Sequence, residues 1–385
     1  MTIFRMRHLL VLLPGNRFGG AEAHTLRLCA AAEASGLMVT IAAGPALHPL
    51  PAAPGRRVLE LPITWRRGLV ETAREAQAEA TRAALAEASA DAVLLPLPWP
   101  DQGAGAMQAL AEARIPTLVI AHLAPHGAEP PPGLDEETLA AAAAIRAEWV
   151  AVSAPTAARF ARFLRLPPSQ VATVPNGTDP PPQLDRALAR HASRTGLGLG
   201  PETPVALFLG RLDEAKGADR LPMLAEAFAR RTSGVIVAAG TGTLEAALRS
   251  EASEGHPLRL IGQHAQPAEL LAGADALLLP SRLEGDPLVF LEAASWGLPV
   301  VASPEALEAL GEAAPAVAAL ADAADLAEMA DALVGAVHGT PATRERVEAA
   351  RHLAASRSAQ TMATRYLSRL RRLMAPPLLG GPGGG

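Results

Sequence analysis

The sequence predicts an α/β protein of two tandem Rossmann-like, doubly wound domains facing a cleft. Three observations carry that expectation. Short, almost continuously apolar runs alternate with longer Ala-rich stretches of helical pattern nearly from end to end. Strands that are apolar on both faces and separated by helices belong to a parallel sheet covered on both sides. The chain has 385 residues, more than the roughly 250–300 that a single core serves, and 49% of them are hydrophobic, enough for two cores. Finally, a stretch from Asn176-Gly177-Thr178-Asp179 through Pro180-Pro181-Pro182 to Gly200-Pro201 can continue neither kind of element. It sets the domain boundary near 180–203.

Taken in order, the first half offers strands over 9–13, 38–43, 92–95, 117–121, 150–152 and 171–174. Helical patterns over 21–34, 71–88, 108–114 and 138–148 lie among them. The second half repeats the rhythm with strands over 205–209, 235–239, 258–261, 276–279 and 300–302. The expected layout is a first domain over 1–185, a linker over 186–203, and a second domain over 204–357. A terminal helix over 358–375 and a disordered Gly/Pro tail over 376–385 follow. That helix carries Arg365, Arg369, Arg371 and Arg372 around Leu367, Leu370 and Leu373. Docking back across the domains is the expected use, and contact with an anionic surface is the other. A helical repeat array would need a fixed period of about 20–50 residues, and none recurs.

Composition narrows the function. A net charge of −5 argues against a nucleic-acid binder, which shows a basic stripe. Cys29 is the single cysteine, so no internal disulfide forms and a reducing compartment fits. The apolar run after Arg5 and Arg7 stops after five residues at Pro14-Gly15, short of a signal-peptide core. No stretch approaches the roughly 20 apolar residues of a membrane span. The expectation is a cytoplasmic protein, with peripheral contact at the inner membrane face left open.

In such sheets ligands bind outside the carboxyl ends of the strands, so the loops there carry the chemistry. Lys216 is the only lysine of the chain. It stands in Gly210-Arg211-Leu212-Asp213-Glu214-Ala215-Lys216-Gly217, directly after the apolar run 205–209. An arginine and a lysine five apart after a strand and a glycine turn make a cradle for phosphate: a planar fork of donors beside a mobile ammonium. A lysine surviving there by chance is the plain alternative. The sharpest signal is Pro280-Ser281-Arg282-Leu283-Glu284-Gly285-Asp286-Pro287-Leu288-Val289, running on to Glu292. A strand ends at Pro280, and Pro287 stands where a helix would begin. The free N–H groups of Leu288 and Val289 would then form an anion site. Glu284, in the loop, can reach a sugar; Glu292, a turn into the helix, can accept two hydroxyls of a ribose, or else complement the helix dipole.

Glu284 and Glu292, with seven residues between them, resemble the paired-glutamate motif of family 4 glycosyltransferases. Gly210-Arg211-Leu212 with Lys216-Gly217 is similar to that family's phosphate loop, Gly19-Gly20-Ala21-Glu22 to its first-strand glycine loop, and Val174-Pro175-Asn176-Gly177-Thr178-Asp179 to its turn before the linker. The resemblance spans nearly the whole chain in the expected order. It implies a retaining enzyme of the B-type fold (GT-B) that takes a nucleoside diphosphate sugar, UDP- or GDP-linked, as donor. It implies further that Arg211 and Lys216 hold the diphosphate and stabilise the departing nucleotide. Glu292 would bind the ribose and Glu284 the donor sugar, with Gly285, Leu288 and Val289 completing the loop. Gly20 would let backbone approach the phosphates, although a helix-opening glycine would look the same.

His122 follows the strand 117–121, where the family often places a histidine near the reacting carbon; a structural histidine is the alternative, and His126 is a weaker rival. Gly262-Gln263-His264 resembles the loop that frames the nucleobase by backbone contacts. Gly240-Thr241-Gly242-Thr243 reads either as part of the donor site or as a plain strand-to-helix turn. Asp286 and Pro287 lie where the resemblance implies variation with donor and acceptor, and an acidic side chain so near a diphosphate calls for a sugar hydroxyl or Arg282 as partner. Arg17 before Gly19-Gly20 could meet an anionic acceptor or stay solvated. No Asp-x-Asp occurs, so the resemblance implies catalysis without a bound metal.

The expected acceptor is a cell-envelope glycan or a lipid-linked oligosaccharide. A catalytically degenerate nucleotide-sugar binder of the same fold is the alternative. A nicotinamide-dependent dehydrogenase needs Gly-x-Gly-x-x-Gly after the first strand, and Gly15-Asn16-Arg17-Phe18-Gly19-Gly20 has the wrong spacing. A sugar-nucleotide epimerase would not need the paired glutamates.

Overall fold

The computed structural model describes residues 6–65, 70–264 and 267–374. The expected tail over 376–385 lies outside the described residues. The chain divides into two units: Asn176–Ala359 is one, and the residues before and after it form the other.

The first unit runs β1 (His8–Leu13), α1 (Gly20–Ala34), β2 (Met38–Ala43), β3 (Arg57–Glu60), α2 (Val70–Ala88), β4 (Ala92–Leu97) and α3 (Ala104–Ala113). It continues through β5 (Thr117–Ala121), α4 (Glu136–Ala144), β6 (Ala147–Ala151), α5 (Ala154–Phe163) and β7 (Val171–Thr173). The sheet order is β3-β2-β1-β4-β5-β6-β7, and every pairing is parallel. Leu9 to Leu13 are fully buried, as a strand with helices on both faces must be. β4 runs on through Pro96, beyond the expected 92–95. It can do so because pairing with β1 ends at Leu94, while Pro96 pairs only with Ile120 of β5. A proline is tolerated where one side of the strand has already lost its pairing partner.

The second unit runs α6 (Arg186–Gly196), β8 (Val205–Leu209), α7 (Leu221–Thr232), β9 (Val235–Ala239), α8 (Glu245–Glu251) and β10 (Leu258–Gly262). Then come α9 (Pro267–Gly273), β11 (Ala276–Leu279), α10 (Leu288–Trp296), β12 (Val300–Ala302), α11 (Ala314–Val317), β13 (Ala319–Leu320), α12 (Leu326–Val337) and α13 (Pro341–Ser356). Its parallel sheet has the order β10-β9-β8-β11-β12-β13. The chain thus winds outward from β8 in one direction and, after crossing over, outward from β11 in the other. β8 and β11 flank the topological switch point, where doubly wound sheets bind ligands. In the first unit β1 and β4 flank the equivalent point.

Two expectations need correction. Residues 186–203, read as a linker, form α6 and its exit, and belong to the second unit. Asp185 caps the helix through the amides of Ala187 and Leu188. Arg194, 3% exposed, bonds Asp275 at 2.7 Å and the carbonyls of Gly200, Pro201, Thr203 and Gly273. A buried guanidinium with all these acceptors makes the segment a structural part rather than a tether. The first unit ends earlier than 185, at Pro175. There Thr178 pairs with Ser358: Thr178 N–H donates to Arg357 O (2.9 Å) and Ala359 N–H to Thr178 O (3.0 Å). A Cβ on Gly177 would lie 2.4 Å from Ser358 O, so the glycine is required by close approach.

The last helix, α14 (Ala359–Met374), returns to the first unit. Met362, Ala363, Tyr366, Leu367 and Leu370 bury themselves in the apolar layer of β1, β2 and α1. Tyr366 Oη donates to Val174 O at 3.2 Å, Arg369 pairs with Glu148, and Arg146 donates to Leu373 O. Docking is the use the structure shows for this helix. Its apolar stripe at helical spacing supplies the burial, and two of the arginine contacts stitch its far end. No helix among the described residues is long and apolar enough to cross a membrane.

Candidate functional site

In the second unit the loops after β8 and β11 meet at the switch point. Gly217 adopts φ 71°, and a Cβ there would lie 2.1 Å from Pro280 O. Only glycine lets the two loops approach so closely. Arg282 N–H donates to Ala215 O at 2.8 Å. Across this seam Lys216 Nζ lies 2.6 Å from Glu284 Oε2, and Ser281 Oγ donates to Glu284 Oε1 at 2.9 Å. Glu284 is 7% exposed. Asp213 organises the other half of the loop, with Oδ1 accepting Lys216 N–H (3.0 Å) and Oδ2 facing Arg211 Nε (3.1 Å). The Arg211 side chain is 44% exposed, so it can reach toward a ligand.

α10 begins just after Pro287, which supplies no side-chain cap. An uncapped helix start leaves amide groups of its first turn, Leu288 and Val289, to an anion. Glu292 stands on the second turn of the same helix, half-buried, and Gly285 is buried in the loop before it. The loop after β9 joins this edge closely. A Cβ on Gly240 (φ 143°) would lie 1.9 Å from Gly210 O, and one on Gly242 would lie 2.2 Å from Leu212 O. Leu212 N–H donates to Thr241 O and Leu244 N–H to Leu212 O. Gly240 and Gly242 thus buttress the basic loop. The Gly-x-Gly after a strand was the signal for this, although a plain turn shows the same letters.

Asp286 is the clearest departure from expectation. The residue is 5% exposed, and its carboxylate is held by groups outside the basic loop. Asn176 N–H donates to Oδ2 at 2.8 Å, Arg357 NH1 stands 3.4 Å from Oδ1, and Asn176 Nδ2 donates to Asp286 O at 2.6 Å. Burial pushes its pKa up to about 6, with Arg357 and the Asn176 amide working against that rise. Arg282, one of the two partners expected for it beside a sugar hydroxyl, instead forms a two-pronged pair with Asp219 at 2.6 Å. That bond holds the Asp219 carboxyl below its ordinary range. His264 follows β10, half-buried, 3.6 Å from the Glu269 carboxylate.

In the first unit Gly20 opens α1 at the carboxyl end of β1, and nothing lies within 4 Å of a Cβ placed on it. Glu22 reaches back to accept Gly19 N–H at 2.9 Å and fills the space beside Gly15. His122 follows β5 and is 7% exposed; its backbone N–H donates to Leu97 O. Burial lowers its pKa to about 3, so the ring is neutral. It packs edge to face against His24 of α1, which sequence reasoning passed over. His126 lies apart from that pair, exposed and 3.1 Å from Arg159. Cys29 is buried with its thiol pushed up to about 12, which removes it as a nucleophile.

Two parallel sheets with glycine-marked loops at their carboxyl edges, one carrying a basic pair beside an open helix start, define the tandem Rossmann-like class known as GT-B. Two family models match in succession: "Glycosyltransferase Family 4" over residues 18–181 and "Glycosyl transferases group 1" over residues 203–338. The chain belongs to the group 1 glycosyltransferases of family 4.

A glycogen synthase of Thermus thermophilus is 39% identical over 125 residues, 30% of this chain and 27% of that protein. The chain therefore matches about a quarter of the length of that relative. Among solved structures, a glycosyltransferase from Rickettsia africae superposes with a TM-score of 0.75 at 14% identity, covering 96% of this chain and 99% of that one. Anabaena HepE in complex with UDP-glucose gives 0.74 at 19% identity, covering 96% and 100%. These two likenesses bear on the fold.

Proposed function

We propose that this protein is a retaining glycosyltransferase that moves a sugar from a nucleoside diphosphate carrier to an acceptor hydroxyl. One observation carries the reading: Lys216 is held against buried Glu284 at the switch point, in the loop that leads into the open start of α10. A diphosphate placed there would take Lys216 and Arg211 on its oxygens and the first-turn amides of α10 on the other side. As the bond from the sugar carbon to the phosphate oxygen breaks, negative charge grows on the leaving nucleotide. Fixed donors aimed at that charge lower the barrier. The acceptor oxygen forms its bond to the same carbon on the face the nucleotide leaves, and its proton goes to the departing phosphate.

In this reading Glu284 receives a hydroxyl of the donor sugar, Glu292 receives the ribose hydroxyls, and the backbone around His264 borders the base. His122, neutral because it is buried, would hydrogen-bond a sugar hydroxyl rather than shuttle a proton. Gly20 leaves room at the mouth of β1. HepE was solved with UDP-glucose, which makes the UDP-sugars the first donors to try, with GDP-sugars beside them. A cell-envelope glycan or lipid-linked acceptor remains the proposed destination, reached from the cytoplasmic side of the membrane.

The test is a thermal-shift screen of UDP, GDP and ADP conjugates, followed by nucleotide release from each donor that binds. A ligand at 100 times its dissociation constant should stabilise by about 2.7 kcal/mol. If no nucleotide binds even at millimolar concentration, the proposal fails. If donors bind but release nothing with any acceptor or water, the catalytically degenerate binder is the correct reading.

A further inference from the structure

Asp286 immediately precedes Pro287, so it leads directly into the open start of α10. Two of the bonds that hold it come from Asn176, the first residue of the second unit. The Asn176 backbone N–H donates to Asp286 Oδ2 at 2.8 Å, and its side-chain Nδ2 donates to Asp286 O at 2.6 Å. The third is the 3.4 Å contact with Arg357. Asn176 and Arg357 stand at the two ends of this unit, and those ends are zipped together by the bridge between Thr178 and Ser358.

Filling space does not explain an asparagine at 176. The residue is 4% exposed and its Oδ1 has no hydrogen-bond partner, and an unpaired buried acceptor is costly. What the amide supplies is the donor to Asp286 O. That oxygen belongs to the peptide joining Asp286 to Pro287, and the next two peptides carry the N–H groups of Leu288 and Val289. The proline ring fixes the torsion between them. An anion site built of backbone amides works best when their direction is set before the anion arrives. This helix start has no side-chain cap to set it. Lys216 and Ser281 hold the other side of the loop, through Glu284.

We propose that Asn176 and Asp286 are positioning residues for the donor diphosphate: their paired bonds seat the start of α10 on the zipped ends of the unit and so aim the Leu288 and Val289 amides. This rests on the diphosphate site of the proposed function. Arg357 contributes less, because its contact is long and its side chain is 22% exposed.

The experiment titrates the full chain with UDP-glucose, well below the melting temperature of each variant. N176A and D286A should each weaken binding ~10-fold. D286N keeps an acceptor for the Asn176 N–H and should bind within ~2-fold of wild type. A merely stabilising contact would lower the melting temperature of N176A and D286A and leave their affinity at the wild-type value; that result overturns the inference. So does a D286N variant as weak as D286A. A second arm needs no nucleotide. In 15N relaxation the Leu288 and Val289 amides should lose order in N176A, falling from the ~0.85 of rigid backbone toward ~0.6; unchanged order overturns the inference. If N176A does not fold, D286A against D286N reads both arms. If the wild type binds no UDP-glucose, the proposed function falls and the relaxation arm alone decides whether Asn176 aims these amides.

Discussion

Replacing Lys216 by methionine tests the site most directly, because stability and function should respond differently. Lys216 Nζ stands 2.6 Å from Glu284 Oε2, with the side chains 19% and 8% exposed. At an effective dielectric of about 20, charges so close attract by about 6 kcal/mol before desolvation is subtracted. Desolvation offsets much of that, but removing one partner strands the other. Truncating a fully buried pair costs about 3–5 kcal/mol, and the partial exposure of the lysine lowers the expectation to about 2–3 kcal/mol. Among the described residues Glu284 would then keep Ser281 Oγ. Urea unfolding followed by Trp296, the single tryptophan within residues 176–359, reads this loss in the second unit. The double variant K216M/E284Q should recover most of the stability, giving a coupling of about 2 kcal/mol in the cycle. Its kcat/KM for the donor should nevertheless stay ~100–1000-fold down, because the anion has lost its cation. Unchanged stability and unchanged nucleotide affinity in K216M would refute both the pairing and its assigned task.

The remaining expectations concern backbone space and pH. Gly217→Ala places a Cβ 2.1 Å from Pro280 O at φ 71°, and should cost about 2 kcal/mol or more in the second unit and weaken nucleotide binding; an alanine variant as stable as the wild type would show that the loops do not meet there. His122 has its pKa lowered from 6.5 to about 3 by burial, so its contribution is present above pH 6.5 and is lost as the pH falls from there toward 3. By linkage this is at most about 5 kcal/mol in the first unit, and H122F should flatten that acid slope in calorimetric scans. Asp286 runs the other way. Raised from 3.8 to about 6, it favours the folded second unit fully below pH 3.8, and that advantage of about 3 kcal/mol is lost as the pH rises through 6. D286N should remove the rise that Trp296 reports between pH 6 and 4, and an unaltered profile would count against the burial argument.

How much was legible in the chain can be judged from particular residues. The strands were readable because burial on both faces leaves an unbroken apolar run, as in Leu9 to Leu13. The places of Glu284 in the loop after β11 and of Glu292 on the helix that follows were readable because strand end, loop and helix start are local signals. Arg194 was not, since its acceptors Gly273 and Asp275 lie about eighty residues away and nothing in Arg186 to Gly196 names them. Asp286 failed for the same reason. The nearest cation in sequence, Arg282, is one of the two partners that local spacing offers, beside a sugar hydroxyl, but that side chain makes a two-pronged bond to Asp219. His24 was invisible because a histidine inside an Ala-rich helix carries no local sign that His122 and Tyr366 will close around it.

Local pattern alone therefore determined that this protein would wind two parallel sheets and set its glycine loops at their carboxyl edges, because apolar period and turn chemistry act over a few residues. Tertiary structure decided which charges pair, which glycines are pressed against a neighbouring backbone, and which unit receives the last helix. Those outcomes depend on contacts between segments far apart in the chain, and desolvation at the meeting point, rather than residue type, selects among the possible partners.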